Sequence, residues 1–183
     1  MGERLPQLET IMVPARRIAV LIGKNGETRK EIEKKTKTKI KIDSKEQTVD
    51  VKSKEETGLG FYSALNIIKA IARGFSPEHA FLLLDENYYF EIIDLQEQFG
   101  KSKNRILQRS GRVIGTKGRM RKEIEETTEC FVSVFGKTIS VIGEMDKIET
   151  AKKAVKMLLE GASHDTVMRF LRKSETRIAD FDL

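Results

Sequence analysis

GKNGETRKEIEKKT at residues 23–36 and GTKGRMRKEIEETT at residues 115–128 are two copies of one stretch, and their alignment organises the whole chain. The offset is 92 throughout, and RKEIE recurs intact at 29–33 and 121–125. The match extends outward on both sides. Leu21-Ile22 is answered by Val113-Ile114, and Ile40 and Ile42 by Val132 and Val134. After a loop two residues shorter in the second copy, Val49 and Val51 correspond to Ile139 and Val141. GFSPEHAFLLL at 74–84 lies over GASHDTVMRFL at 161–171. Self-similarity of this kind marks one supersecondary unit used twice. The 183 residues are therefore expected to form two domains, 1–84 and 85–183, the second ending in a short acidic tail, Asp180-Phe181-Asp182-Leu183.

Periodicity gives each unit its elements. Thr10 to Val13 reads as a short strand that meets Pro14, a residue unable to donate to a ladder. Arg16 to Ile22 places Ile18, Leu21 and Ile22 on one helical face and stops at Gly23. A second helix follows Gly26 to about Lys35. Lys39 to Asp43 and Thr48 to Lys52 alternate apolar and polar residues as half-buried strands do. Ser63 to Arg73 is amphipathic and closes at Gly74. The second unit repeats the series: strand Tyr88 to Leu95, helices Asn104 to Ile114 and Arg119 to Thr127, strands Phe131 to Phe135 and Thr138 to Ile142, helix Ile148 to Leu159. An extra helix follows each unit, at Pro77 to Leu84 and Asp165 to Lys173. The expected class is α+β, with the order β-α-α-β-β-α occurring twice. The linker, Asp85 to Asn87, is too short for freely swinging domains, so the units are expected to pack together.

Composition narrows the function. A single cysteine, Cys130, rules out a disulfide framework, and with only His79 and His164 beside it a His/Cys zinc site is hard to assemble. No metal and no cofactor are expected. No basic start leads into an apolar stretch, and no apolar run approaches the roughly 18 residues of a membrane span. The expectation is a soluble, cytoplasmic monomer without membrane contact. Net charge is +6, and its distribution is uneven. From Gln98 to Lys122 there are nine basic residues and no acid: Lys101, Lys103, Arg105, Arg109, Arg112, Lys117, Arg119, Arg121 and Lys122. Such a run is ordinarily a solvated face. Here it coincides with a loop of the phosphate-binding kind.

That loop is Gly-x-x-Gly between two helices: Gly23-Lys24-Asn25-Gly26 in the first unit, Gly115-Thr116-Lys117-Gly118 in the second. Glycines let backbone approach a phosphate where a Cβ would intrude, and the first amides of the next helix then point at the anion. Lys24 and Lys117 sit between the glycines, well placed for backbone charges. A lone GxxG is commonly a structural helix turn; two copies in matching context are a stronger signal. Neither copy continues as a P-loop. No Ser/His/Asp arrangement appears, and the adjacent acids Glu55-Glu56 and Glu125-Glu126 read as solvated surface, so no enzyme activity is expected.

The pattern resembles the type I KH domain, whose GXXG loop clamps a short single-stranded RNA segment. The resemblance implies that bases enter an apolar groove between the loop-flanking helices and the second strand. That implicates Ile18, Ile22, Ile40 and Ile42 in the first domain, and Val113, Ile114, Val132 and Val134 in the second. Each reads equally well as an ordinary core residue, because groove and core share an edge. Arg16, Arg17 and Lys30 join the first set as flanking basic residues, and Arg109, Arg112, Arg119 and Lys122 join the second. Three residues after the second glycine most KH domains carry an apolar residue, whereas this chain has Arg29 and Arg121, which suggests a phosphate ligand beside each loop.

A narrower resemblance covers nearly the whole chain. The tandem units, the run SGRVIGTKGRMRKEIEETT and the GASHDTVMRFLRK tail resemble the archaeal members of the Partner-of-Nob family of small-subunit ribosome assembly factors. The family implies binding to the 3′ region of small-subunit rRNA. It also implies cooperation with the endonuclease that trims that end, or with another assembly or translation factor. The competing readings are a general mRNA or exosome-associated KH protein, and a protein-interaction scaffold.

Overall fold

A computed structural model describes residues 7–53 and 59–179, with side chains to residue 174. The pair Glu55-Glu56 and the tail from Asp180 lie outside the described residues. The chain divides into two compact units, Met1–Glu86 and Asn87–Leu183.

In the first unit, strand β1 (Leu8–Met12) leads into helix α1 (Ala15–Ile22), a 3-10 turn (Lys24–Gly26) and helix α2 (Glu27–Thr36). Strands β2 (Thr38–Asp43) and β3 (Thr48–Ser53), helix α3 (Leu59–Ala72) and the short helix α4 (Pro77–Phe81) follow. The sheet is antiparallel with order β1-β3-β2, so β2 is an outer strand. Its register pairs Ile40 with Val51 and Ile42 with Val49, which puts these residues on one face. Helices α1, α2 and α3 cover that face. Leu21, Ile32, Val49, Val51, Ile67, Ile68 and Ile71 are wholly buried there.

The second unit contains strand β4 (Tyr88–Asp94) and helices α5 (Leu95–Phe99), α6 (Lys103–Ile114) and α7 (Arg119–Thr128). Strands β5 (Phe131–Phe135) and β6 (Thr138–Glu144) and helices α8 (Met145–Glu160) and α9 (His164–Ala179) complete it. Its sheet order, β4-β6-β5, repeats the first. Val113, Ile124, Ile139, Val141, Ile148 and Leu158 form the corresponding core.

Several boundaries differ from the sequence reading, β1 and α8 each starting two or three residues earlier, and three of the differences have a clear structural consequence. The strand read as Tyr88 to Leu95 ends at Asp94, because the Asp94 carboxylate accepts the N–H groups of Gln96 (2.7 Å) and Glu97 (3.3 Å) and starts α5. That is an N-cap, and the helix it begins stops at Gly100. The third helix of the first unit begins at Leu59 rather than Ser63, carrying Phe61 into the core. The final helix runs past Lys173 to Ala179.

The early start of α3 depends on Gly60. A Cβ there would stand 2.2 Å from the Thr36 carbonyl oxygen at the end of α2. Thr36 is itself fixed, its hydroxyl bonded to the Ile32 carbonyl and paired with the Thr38 hydroxyl. Gly60→Ala is therefore expected to lower unfolding stability by about 1–3 kcal/mol through overpacking against backbone, measured by urea denaturation.

Candidate nucleic-acid interface

Each loop is built from left-handed backbone. Gly23 (φ +73°), Asn25 (+54°) and Gly26 (+78°) lie at positive φ, as do Gly115 (+70°), Lys117 (+53°) and Gly118 (+77°). The two glycines of a loop serve different ends. A Cβ on Gly23 would lie 2.3 Å from Thr28 Oγ1 and 2.7 Å from the Thr28 nitrogen. One on Gly115 would lie 2.7 Å from Met120 Cβ. The first glycine is required by packing alone. The second faces open space: a Cβ on Gly118 would meet nothing within 4 Å, and one on Gly26 only the end of Lys30 at 3.8 Å. No side chain caps the helix that begins there in either unit, and the N–H of its first residue bonds back into the turn, Glu27 to the Lys24 carbonyl and Arg119 to the Thr116 carbonyl. The first turn of α7 carries no acid, whereas that of α2 carries Glu27. The second loop is the more positive one.

Charge counted along the sequence overstates what reaches the loops. Arg17 donates through Nε to the Ile71 carbonyl (2.7 Å) and through its Nη2 to the Phe75 carbonyl. Burial, and then neighbouring Arg16, lower its pKa from the ordinary guanidinium range. Arg109 bonds the Leu159 carbonyl (2.6 Å) and lies 5.1 Å over the Phe99 ring. Arg112 bonds the carbonyls of Leu158 (3.0 Å) and Ala162 (2.6 Å). These three guanidiniums bond carbonyls in the last turns of α3 and α8 and, at Phe75 and Ala162, just beyond them. They serve the frame rather than the loop. Arg16 is exposed on α1.

The residues at the loops are Lys24, Asn25 and Lys30 in the first unit, and Thr116, Lys117, Arg119, Arg121 and Lys122 in the second. Lys30 reaches back to the Asn25 carbonyl at 3.5 Å. Arg119, Arg121 and Lys122 each face an acid four residues on: Glu123 at 4.0 Å, Glu125 at 3.7 Å and Glu126 at 3.2 Å. Arg29 faces Glu33 in the same way at 4.0 Å, and its Nε has no hydrogen-bond partner. Ion pairs of this exposed kind contribute about 0.3–0.5 kcal/mol each and yield readily to a better anion.

The groove candidates separate cleanly. Ile18 and Ile40 are buried, as are Val113 and Val132, and they belong to the cores. Ile22, Ile42 and Val134 are half-buried, Val134 packing against the core of the second unit, and Ile114, next to its loop, is 37% exposed.

Two residues that charge and periodicity passed over sit between loop and groove. Glu33 Oε1 accepts the N–H of Ile40 at 2.7 Å, and Glu125 Oε1 accepts the N–H of Val132 at 2.8 Å. The intact repeat of RKEIE was the available signal. Cys130 is buried, and desolvation pushes its thiol up to about 11, which removes it as a nucleophile.

Comparison with known proteins agrees with this architecture. A model of eukaryotic type KH domains (type I), that of the second Pno1 KH domain, matches residues 89–176, and a general KH-domain model matches 8–57. A KH domain-containing protein of Methanocaldococcus jannaschii is 41% identical over 180 residues, covering 96% of this chain and 78% of that protein. The RNA-binding protein pno1 of Dictyostelium discoideum is 27% identical over 180 residues, covering 95% and 74%. Among solved structures, Dim2p of Pyrococcus horikoshii in a complex with a/eIF2alpha and rRNA aligns with TM-score 0.87 and 46% identity, covering 96% and 97%. The chain belongs to the archaeal Partner-of-Nob family and contains two type I KH domains.

The contrast between the two glycines of a loop is measurable. Gly115→Ala is expected to destabilise the protein by about 2 kcal/mol or more, since packing and positive φ both oppose it. Gly118→Ala should cost only about 1 kcal/mol, from φ alone. Chemical denaturation of the two variants side by side decides it.

Proposed function

We propose that this member of the Partner-of-Nob family holds single-stranded RNA at its GxxG loops, and that the RNA is the 3′ region of small-subunit rRNA during subunit assembly. One observation carries the reading. The second glycine of each loop opens onto space beside an uncapped helix N-terminus, with lysine and arginine side chains around it. This arrangement suits a phosphodiester backbone and leaves the bases to be read by the half-buried residues next to it.

In this reading Gly23, Lys24, Asn25, Gly26, Arg29 and Lys30 contact the backbone in the first domain. Gly115, Thr116, Lys117, Gly118, Arg119, Arg121 and Lys122 do so in the second. Ile22, Ile42, Ile114 and Val134 face bases. The work is binding, not catalysis. The Pyrococcus horikoshii relative was crystallised with rRNA and a translation factor subunit together. A protein partner is therefore compatible with bound RNA, and the endonuclease that trims the rRNA 3′ end is the partner the family reading adds. We place the protein in the cytoplasm as a monomer, with both loops supplied by one chain.

The test is binding of a labelled 3′-terminal small-subunit rRNA oligonucleotide across a salt series. Gly118→Asp puts a carboxylate where the structure has room for it, so repulsion of phosphate can be separated from loss of fold. It is expected to weaken binding by at least about tenfold, and Gly26→Asp by less. Arg121→Ala should lower the salt slope by about 0.7, one phosphate contact on a single strand. Affinity and slope that ignore all three substitutions would make the loops structural and favour the scaffold reading.

A further inference from the structure

The repeated RKEIE string does more than a phosphate clamp requires. Its arginine lies on the second helix close to the loop, and its last glutamate one turn further on, about 6 Å along the axis. In both units that glutamate crosses to the outer strand and takes the first groove-side N–H, on Ile40 or Val132. In an antiparallel ladder a residue's N–H and C=O point to the same side. The Ile40 and Val132 carbonyls therefore face outward too, next to the carboxylate. The second carboxylate oxygen is turned toward the arginine at 4.0 Å in the first unit and 3.7 Å in the second, beyond hydrogen-bond length. The glutamate side chains are 21% and 25% exposed, so they are partly open to solvent.

We propose that Glu33 and Glu125 determine base specificity. The carboxylate oxygen and the strand carbonyl are both acceptors, with the arginine beyond hydrogen-bond length, an arrangement suited to an exocyclic amine with two hydrogens to donate. Adenine, cytosine and guanine carry such an amine, and uracil does not. A carboxylate accepting from the cytosine amine is an established form of base reading. Uracil would bring its O4 against the carboxylate, acceptor against acceptor. The arginine and glutamate of one helix would then read one nucleotide, phosphate at the loop end and base at the strand. This rests on the RNA-binding reading above.

The plainer alternative is that the glutamate only staples helix to strand. Glu125→Gln separates the two. Glutamine can still accept the Val132 N–H through Oε1, but its other terminus becomes a donor. The experiment uses the full chain and single-stranded RNA oligonucleotides that differ by cytosine or uracil at one position at a time, with Kd read by fluorescence anisotropy. Wild type is expected to favour cytosine about tenfold at one position, the discrimination of one good polar contact. Glu125→Gln should reduce that ratio below about twofold or reverse it. A wild-type chain with no such preference, or a ratio the substitution leaves intact, overturns the proposal. If Gly118→Asp still removes binding in that case, RNA binding stands and the glutamate is a staple. If binding ignores Gly118→Asp, the RNA reading falls and the proposal with it. Glu33→Gln reads the first unit in the same way.

Discussion

At Gly23 and Gly115 two helices come so close that a single added carbon would overlap Thr28 or Met120. This contact sets where α2 and α7 begin, and therefore how each helix start, without a side-chain cap, is placed beside its loop. The rest of each unit holds the same helix pair from other sides. Arg17 ties α1 to the end of α3 and Arg112 ties α6 to the end of α8, while Glu33 and Glu125 tie α2 and α7 to the outer strands. A hydrogen bond to a charged group contributes roughly 1.5–3 kcal/mol when its partner is shielded. With the helix contact at the first glycine, the two ties in each unit leave the second glycine as the open point in the frame. A loop that has to meet a phosphate without rearranging needs such rigidity around it, because ordering done in advance is not charged to binding.

Electrostatics follows from the same frame. A net charge of +6 and a run of nine basic residues suggest a broad positive face. In space the run divides, with Arg109 and Arg112 turned inward onto carbonyls and Arg119, Arg121 and Lys122 left at the loop. Each of the latter is shadowed by an acid one turn away. While Lys101, Lys103 and Arg105 are exposed elsewhere in the run, Arg119, Arg121 and Lys122 thus sit at the loop end of α7, where the helix dipole has the same sign. A local field of that kind favours a few phosphates in one place over indiscriminate attraction along the surface.

The sequence carried the repeat, the loops and most strands, because these depend on local spacing: period 2 in Lys39 to Asp43, a glycine pair at fixed interval. It did not carry the division of the arginines. Whether Arg112 meets solvent or the Ala162 carbonyl depends on a partner 50 residues away, which no window of periodicity contains. Helix α5 was missed for the opposite reason. Its signal is local, Asp94 three residues before Glu97, but the apolar run of β4 masked it. The groove candidates could not be sorted from the sequence, since Ile40 and Ile42 alternate alike and differ only in depth beneath the helices.

The two loops also show how one motif can be solved twice. Both place a non-glycine residue in the left-handed region just before the second glycine. The first unit uses Asn25, which tolerates that conformation well, and carries its lysine one step earlier at Lys24. The second uses Lys117 itself in the left-handed position, at a cost of order 1 kcal/mol. The two ammonium groups consequently leave the backbone one residue apart, the second next to a helix start without an acid. The same fold thus gives the first loop the more relaxed backbone and the second a helix start without an acid, so in the RNA-binding reading proposed above the two domains would be unequal although their architecture is the same.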